Sequence, residues 1–338
     1  MKRIGFVYDR LLDKDYIKEI IIKASKHKTK RRTVQKVLMN IDYYTNAIYE
    51  MLVNDNIKLR PTKHRIINDY RKKREITISP FYPNQILDYL LVETTKSLIK
   101  KSMYQYCVGN VDKKGIMYGK KVMEKGMKQY RYFIKLDIRH FYQNVRPELV
   151  VKYLEQKIKD KRFINFAAKV MNKNDLPIGC YYSQWYSNFF LTKFDHFVKE
   201  ELKVPFYIRY VDDMVLGSNN KKMLMRYYYQ IKSYLFDIGL ELKFLPVVRE
   251  TVNFLGFSFS KEGTRLRHQI FYRLQKTVRK MRRHICSSLI HRIISFFSWL
   301  KNIKTGYLYY KNNIWSIIRL GTIKRLVSKG ELFYVENS

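Results

Sequence analysis

The chain has 338 residues, 46% hydrophobic and 15% aromatic, and carries a formal net charge of +38 from 67 Lys and Arg against 29 Asp and Glu. That hydrophobic content excludes a disordered chain, and no fold needs so large an excess of cations. The charge points to a long contact with a polyanion, where each neutralised phosphate releases counterions.

Cys107, Cys180 and Cys286 are odd in number, far apart and without a Cys-x-x-Cys spacing, which implies reduced thiols in a cytosolic setting and no zinc site. The N-terminus reaches charge too early for a secretory leader. The most apolar late run, 289–300, is broken by His291 and Arg292 and is too short to cross a bilayer. The expectation is a soluble, cytoplasmic protein with no membrane partner.

Residues 1–60 read as basic helices, with a cationic run at 23–32 and apolar residues at three- and four-residue spacing over 37–52. Residues 59–79 read as two short strands joined by a basic turn at 69–73. Lys73 and Arg74 there suit a triphosphate, since Arg offers a fork and Lys a point charge. Pro80 and Pro83 break the strand, and a helix runs on to about residue 103. A glycine-bearing loop spans 104–119, where Lys113 and Lys114 could hold backbone phosphate; a helix then leads to about residue 130.

Residues 132–137 form a strand that delivers Asp137 at its end, and Tyr142 follows where the chain turns away. Residues 145–171 read as a pair of helices. The loop from Asp175 through Leu176-Pro177-Ile178-Gly179 to Ser183-Gln184 enters an apolar helix over 183–201. Gly179 would let backbone approach a ligand, and the helix start offers N–H groups to an anion. Trp185, Tyr186, Phe189, Phe190, Phe194 and Phe197 read as core rather than as base-stacking surfaces.

Tyr210-Val211-Asp212-Asp213 sits between apolar runs, the pattern of a hairpin with acids at its tip. Adjacent carboxylates repel unless a cation neutralises them. If the strand ending at Asp137 lies alongside, Asp137 and Asp212 make an oxygen-only site suited to Mg²⁺, and a pair of ions about 3.5–4 Å apart would clamp both oxygens of a phosphoryl displacement. A helix over 220–238 ends at Gly239, Lys243 lies in a short strand at 241–245, and Asn253-Phe254-Leu255-Gly256-Phe257-Ser258-Phe259 reads as a hairpin bent at Gly256. Arg265, Arg267, Arg273, Lys276, Arg279 and Lys280 then line a basic, mostly helical region to about residue 325, suited to a duplex backbone.

The Asp137 strand, the Leu-Pro-x-Gly loop, Tyr210-Val211-Asp212-Asp213, the strand with Lys243 and Asn253-Phe254-Leu255-Gly256 occur in the order of the palm motifs of reverse transcriptases, and the chain resembles that family over roughly residues 55–300. Ile178 before the glycine and Ser183-Gln184 at the loop end are similar to the prokaryotic reverse transcriptases of diversity-generating retroelements, whose aliphatic residue there accompanies error-prone copying of template adenines.

The resemblance implies an α+β right-hand polymerase with fingers, a palm built on an antiparallel sheet, and a helical thumb. The corresponding segments are a basic N-terminal extension at 1–60, fingers at 61–130, palm at 131–260 with an interleaved part at 143–175, thumb at 261–325 and a tail at 326–338. It implies catalytic Asp137, Asp212 and Asp213, two Mg²⁺ (or Mn²⁺) ions at Asp137, Ile138, Asp212 and Asp213, and nucleotide contacts from Lys73, Arg74, Tyr142 (the sugar gate), Ile178, Gly179, Gln184 and Lys243. Its partners would be template RNA, the RNA/DNA heteroduplex, dNTPs and a small basic accessory protein. An anti-phage reverse transcriptase and a non-catalytic RNA-binding protein with a silent palm are the competing readings.

Overall fold

A computed structural model describes residues 3–69, 72–171, 174–284, 286–300, 303 and 309. Helices and antiparallel strands mix along the chain, the α+β class. Two compact units are built from interleaved segments: Met1–Gly115, Leu136–Met214 and Arg226–Leu245 form the first, and Ile116–Lys135, Val215–Met225 and Pro246–Ser338 the second.

A 3₁₀ turn at Asp9–Leu12 precedes α1 (Lys14–Ser25), whose start is fixed by Asp13: its carboxylate accepts from the amides of Asp15 and Tyr16. Ile17, Ile20, Ile21 and Ala24, spaced three and four apart, are buried on one face. Helices α2 (Arg32–Met39) and α3 (Ile41–Val53) follow, so the basic N-terminal segment is helical as its periodicity implies. Strands β1 (Lys63–Asp69) and β2 (Lys72–Ile78) pair antiparallel, with Arg74 opposite Ile67 and Ile78 opposite Lys63. Lys73 therefore lies within a strand, opposite Asn68, rather than in the expected turn. One irregular turn at Phe81–Gln85 leads into α4 (Ile86–Ser102). The expected loop ends sooner than its glycines suggested, because α5 (Ile116–Gln129) begins early enough to bury Gly119 inside the helix.

Strand β3 (Tyr132–Asp137) is followed by a single helical turn, α6 (Phe141–Asn144), by α7 (Pro147–Glu155), which starts on a proline whose missing N–H costs nothing there, and by α8 (Lys161–Val170), capped by the Asp160 carboxylate. The helix expected over 183–201 is segmented into α9 (Tyr181–Phe190), α10 (Thr192–His196) and an irregular turn at Phe197–Glu201. It starts two residues early because Cys180, in extended conformation, serves as its cap residue. Trp185, Tyr186, Phe189, Phe190 and Phe194 are buried, which agrees with the core reading, whereas Phe197 is half-buried and stacks on Tyr234. Strands β4 (Phe206–Tyr210) and β5 (Asp213–Ser218) complete a three-stranded sheet in the order β3–β5–β4.

Helix α11 (Lys221–Asp237) comes next. The short strand expected at 241–245 reduces to one bridge, Leu242 to Ile138, since the acidic end of β3 offers it only a few backbone partners. Strands β6 (Val252–Phe254), β7 (Phe257–Ser260) and β8 (Gly263–Leu266) form an antiparallel sheet in the second unit, with Phe254, Phe257 and Phe259 buried. Gly256, at φ +83, makes the bend between β6 and β7. Arg265 lies in β8 and Arg267 at a helix cap, whereas both were expected in helical chain. Helices α12 (His268–Arg283) and α13 (Ser287–Leu300) pack through Leu274, Val278, Met281, Ile290 and Ile293. The later part of the expected thumb and the tail lie outside the described residues.

Candidate active site

The turn between β4 and β5 carries a strained backbone. Val211 sits at φ +58, a left-handed conformation that opposes a β-branched side chain. Its carbonyl accepts from Arg209 Nη1 at 2.9 Å. Arg209 is wholly buried and forks onto Asp195, also wholly buried, through Nε at 2.7 Å and Nη2 at 2.6 Å. Tyr207 Oη donates to the same carboxylate at 2.7 Å, and Asn188 Oδ1 accepts from Arg209 Nη1 at 2.9 Å. Asn188 Nδ2 in turn donates to the carbonyl of Gly109 at 2.8 Å. A Cβ on Gly109 would stand 2.8 Å from both the amide nitrogen and Cγ2 of Val211. A satisfied network of buried polar groups thus holds the strained turn from below and presents the next residue, Asp212.

Asp137 reaches the same place. The amide of Ile138 donates to the carbonyl of Asp212 at 3.3 Å, and the amide of Lys243 donates to the carbonyl of Asp137 at 2.8 Å. Burial and then the negative charge of Asp137 push the Asp212 carboxyl up to about 6, with Asp213 adding less and Arg74 opposing. Lys243 Nζ lies 3.6 Å from Asp137 Oδ1, both side chains partly exposed. The donor set is oxygen only, and Asp212 resists ionisation because it is buried beside a second carboxylate. Asp137 and Asp212 therefore fit a hard divalent cation. Asp213, the first residue of β5, follows Asp212 and adds its charge to the pair; among the described residues no three His, Cys, Asp or Glu side chains gather as a metal group.

Two further elements converge here. The amide of Thr77 in β2 donates to the carbonyl of Ile178 at 2.7 Å, which ties the Leu176-Pro177-Ile178-Gly179 loop to the strand that carries Arg74. Gly179 is at φ +119, and a Cβ there would lie 2.2 Å from the Thr77 carbonyl oxygen. The close approach that demands glycine here is to the protein's own strand β2. The Tyr142 carbonyl accepts from the amide of Leu176 at 3.1 Å, and its phenol, bonded to Ser187 and raised by burial above its ordinary range, senses both Asp212 and Arg74. Tyr181 points away from this cluster: its hydroxyl donates to Glu93 at 2.7 Å, and its ring stacks on Tyr89. Tyr182 is buried.

One compact unit thus brings together Arg74, Asp137, Tyr142, Ile178, Gly179, Asp212, Asp213 and Lys243. Gln184 is exposed on the first turn of α9. Lys73 lies on the opposite face of the hairpin from Arg74, by strand alternation. Lys113 is exposed, whereas Lys114 Nζ donates to the carbonyl of Gln105 at 2.6 Å, an internal use of the charge. Arg265, Arg267, Arg273, Lys276, Arg279 and Lys280 belong to the second unit, and Lys276, Arg279 and Lys280 are exposed along α12. Sequence reasoning passed over Arg209, Asp195, Asn188 and the role of Gly109. A cation inside the apolar run Phe206-Tyr207-Ile208-Arg209-Tyr210 was the available signal, because a buried Arg requires a partner.

A family model described as reverse transcriptase (RNA-dependent DNA polymerase) matches residues 53–259, more than half of the chain and the whole of the cluster just described. A comparison with curated proteins finds no match. No helix among the described residues is long and apolar enough to cross a membrane.

Proposed function

The chain belongs to the reverse transcriptase family, and from that premise we propose that it copies an RNA template into DNA at the Asp137–Asp212 pair and does so with frequent errors opposite template adenine, as enzymes of diversity-generating retroelements do. The observation that carries the catalytic part is the convergence of two acids from separate strands, one resisting ionisation, with Arg74, Tyr142 and Lys243 around them. Mg²⁺ held by Asp137 and Asp212 would supply charge neutralisation and a more acidic primer 3′-hydroxyl. Arg74 binds the triphosphate, Tyr142 lies under the sugar and excludes a 2′-hydroxyl, and Lys243 adds positive charge beside the leaving group.

The infidelity rests on Ile178. Its carbonyl is bound by Thr77, and its side chain has no hydrogen-bonding group with which to penalise a mispaired nucleotide. One missing polar discriminator corresponds to about 1–3 kcal/mol. Template choice then falls to RNA structure and to a small basic accessory protein, because a heteroduplex is read by shape and backbone.

Primer extension on a defined RNA template with Mg²⁺, with product sequencing, tests this reading. DNA should form with the wild type and not with Asp212→Ala, errors should concentrate opposite adenine, and Ile178→Gln should reduce them. Accurate extension would remove the diversification reading. Extension that survives Asp212→Ala would remove the assigned site.

A further inference from the structure

The chain just after Gly179 is held from outside the acidic cluster, by two lines of side chains that start from the same end of one helix. Helix α4 packs against both α1 and α9, and Tyr89 and Glu93, one turn apart on it, share a face. Tyr181, the first residue of α9, meets both. Its ring stacks on Tyr89 with centroids 4.0 Å apart, and its hydroxyl donates to Glu93 Oε1 at 2.7 Å. Burial, and then the bond to Glu93, raise the phenol above its ordinary range, so it stays a donor. The other oxygen of Glu93 accepts at 2.6 Å from Lys23 Nζ, in the last turn of α1. The Glu93 side chain is only 7% exposed, and a second cation, Lys96 at 3.8 Å, is shared with Asp112 at 3.5 Å. Lys23 is thus the nearer neutralising charge of a carboxylate almost withdrawn from water.

The second line begins at Lys28, just beyond the end of α1. Its Nζ donates to Gln85 Oε1 at 2.7 Å and stands 5.2 Å from the centre of the Tyr89 ring. Gln85 Nε2 donates to the carbonyl of Ser79 at 2.7 Å, and Ser79 Oγ lies 3.3 Å from Cys180 Sγ, both side chains buried. The two lines therefore end on adjacent residues, Cys180 and Tyr181. Before the glycine, the Thr77 amide ties the chain through the Ile178 carbonyl; after it, these side chains do. Gly179, at φ +119, lies between the anchors with no side chain of its own to fix the turn. Where Ile178 stands then depends on both anchors, the second being supplied by α1 from about 150 residues upstream.

We propose that Lys23 and Lys28 are positioning residues for nucleotide selection: acting through Glu93 and Tyr181 on one line, and through Gln85, Ser79 and Cys180 on the other, they set the Ile178-Gly179 loop against the incoming nucleotide. The nucleotide rests on the reverse-transcriptase reading; the coupling of α1 to the loop does not.

The test takes the full-length protein as wild type, Lys23→Met, Lys23→Arg, Lys28→Met, Tyr181→Phe and the Lys23→Met/Tyr181→Phe double variant. In single-nucleotide extension on a primed RNA template, Lys23→Met and Tyr181→Phe should each raise KM for the dNTP on the order of 10-fold with little change in kcat, the pattern of lost nucleotide binding rather than lost chemistry. Lys23→Arg, which keeps the charge, should stay near wild type. The double variant should be no worse than either single, because both changes act through one carboxylate; additive effects would mean two unrelated packing defects and overturn the first line. Lys28→Met should raise KM as well, and a Lys28→Met enzyme identical to wild type would overturn the second line. Hydrogen exchange reads the link without activity: amides of residues 180–183 should exchange on the order of 10-fold faster in Lys23→Met and Tyr181→Phe, while those of β4 and β5 stay as in wild type. Tyr181→Phe removes a single oxygen atom, so it carries the test if Lys23→Met does not fold. Unchanged loop exchange, a fall in kcat at constant KM, or an Arg variant as weak as the Met variant would each overturn the assignment. Faster loop exchange without any wild-type extension keeps the coupling and rejects the polymerase; wild-type extension with KM and loop exchange both unmoved in the variants rejects the coupling alone.

Discussion

At the level of single residues, Asp212 is a group whose function opposes stability. Its carboxyl titrates at about 6 in the folded chain because burial and Asp137 disfavour its anion. In the unfolded chain an Asp titrates near its usual ~3.9. A raised folded value means that the protonated form favours the fold, so this contribution is present below about pH 4 and is lost as pH rises toward 6. At neutral pH without metal, the ionised Asp212 should therefore destabilise the protein by on the order of 2 kcal/mol. Asp212→Asn should abolish synthesis yet raise the melting temperature in chelator, with a larger gain at about pH 8 than at about pH 5. Mg²⁺ should stabilise the wild type and leave the variant unmoved. Melting curves at the two pH values check this, and a variant less stable than wild type at both would refute it.

At the level of the element, the β4–β5 turn shows what local pattern can and cannot reveal. Apolar runs flanking Asp212 and Asp213 announce a hairpin, and the hairpin is there. What holds it is not local. Val211 keeps its left-handed backbone because Arg209 binds its carbonyl and Asp195 binds Arg209, and Gly109, about a hundred residues upstream, makes room for its amide by carrying no Cβ. Such partners are spelled in three separate stretches that no periodicity links. Gly109→Ala should push on the Val211 amide and displace Asp212, lowering kcat on the order of 100-fold with little change in KM, the sensitivity expected when a reacting group is misplaced by about 1 Å. Arg209→Met should destabilise the fold by about 3–5 kcal/mol, since it strands the buried Asp195 carboxylate. Steady-state kinetics and denaturant melts separate the two effects; a Gly109→Ala enzyme with wild-type kcat would show that the turn tolerates movement.

For the whole molecule, charge was the most legible property and its placement the least. The excess of cations is plain from composition, and on α12 the spacing is legible too: Leu274, Thr277, Val278 and Met281 recur at three and four residues and are buried, while Lys276, Arg279, Lys280 and Arg283 keep the same intervals and are exposed. Elsewhere the sequence could not say which cations the fold would use internally, as it uses Arg209 on Asp195 and Lys114 on the Gln105 carbonyl. The α12 row is free of that ambiguity, because one helix face cannot be both core and solvent. If it runs along a heteroduplex, binding should be driven by counterion release, and affinity should fall about 10³- to 10⁵-fold between about 50 and 200 mM salt for six to ten phosphate contacts. Replacing Lys276, Arg279 and Lys280 by Ala should lower the slope of log affinity against log salt by about one for each contact removed, equally for all duplex sequences. A triple variant with an unchanged slope would place the duplex on another surface, and a loss confined to particular sequences would mean that these residues read bases rather than backbone.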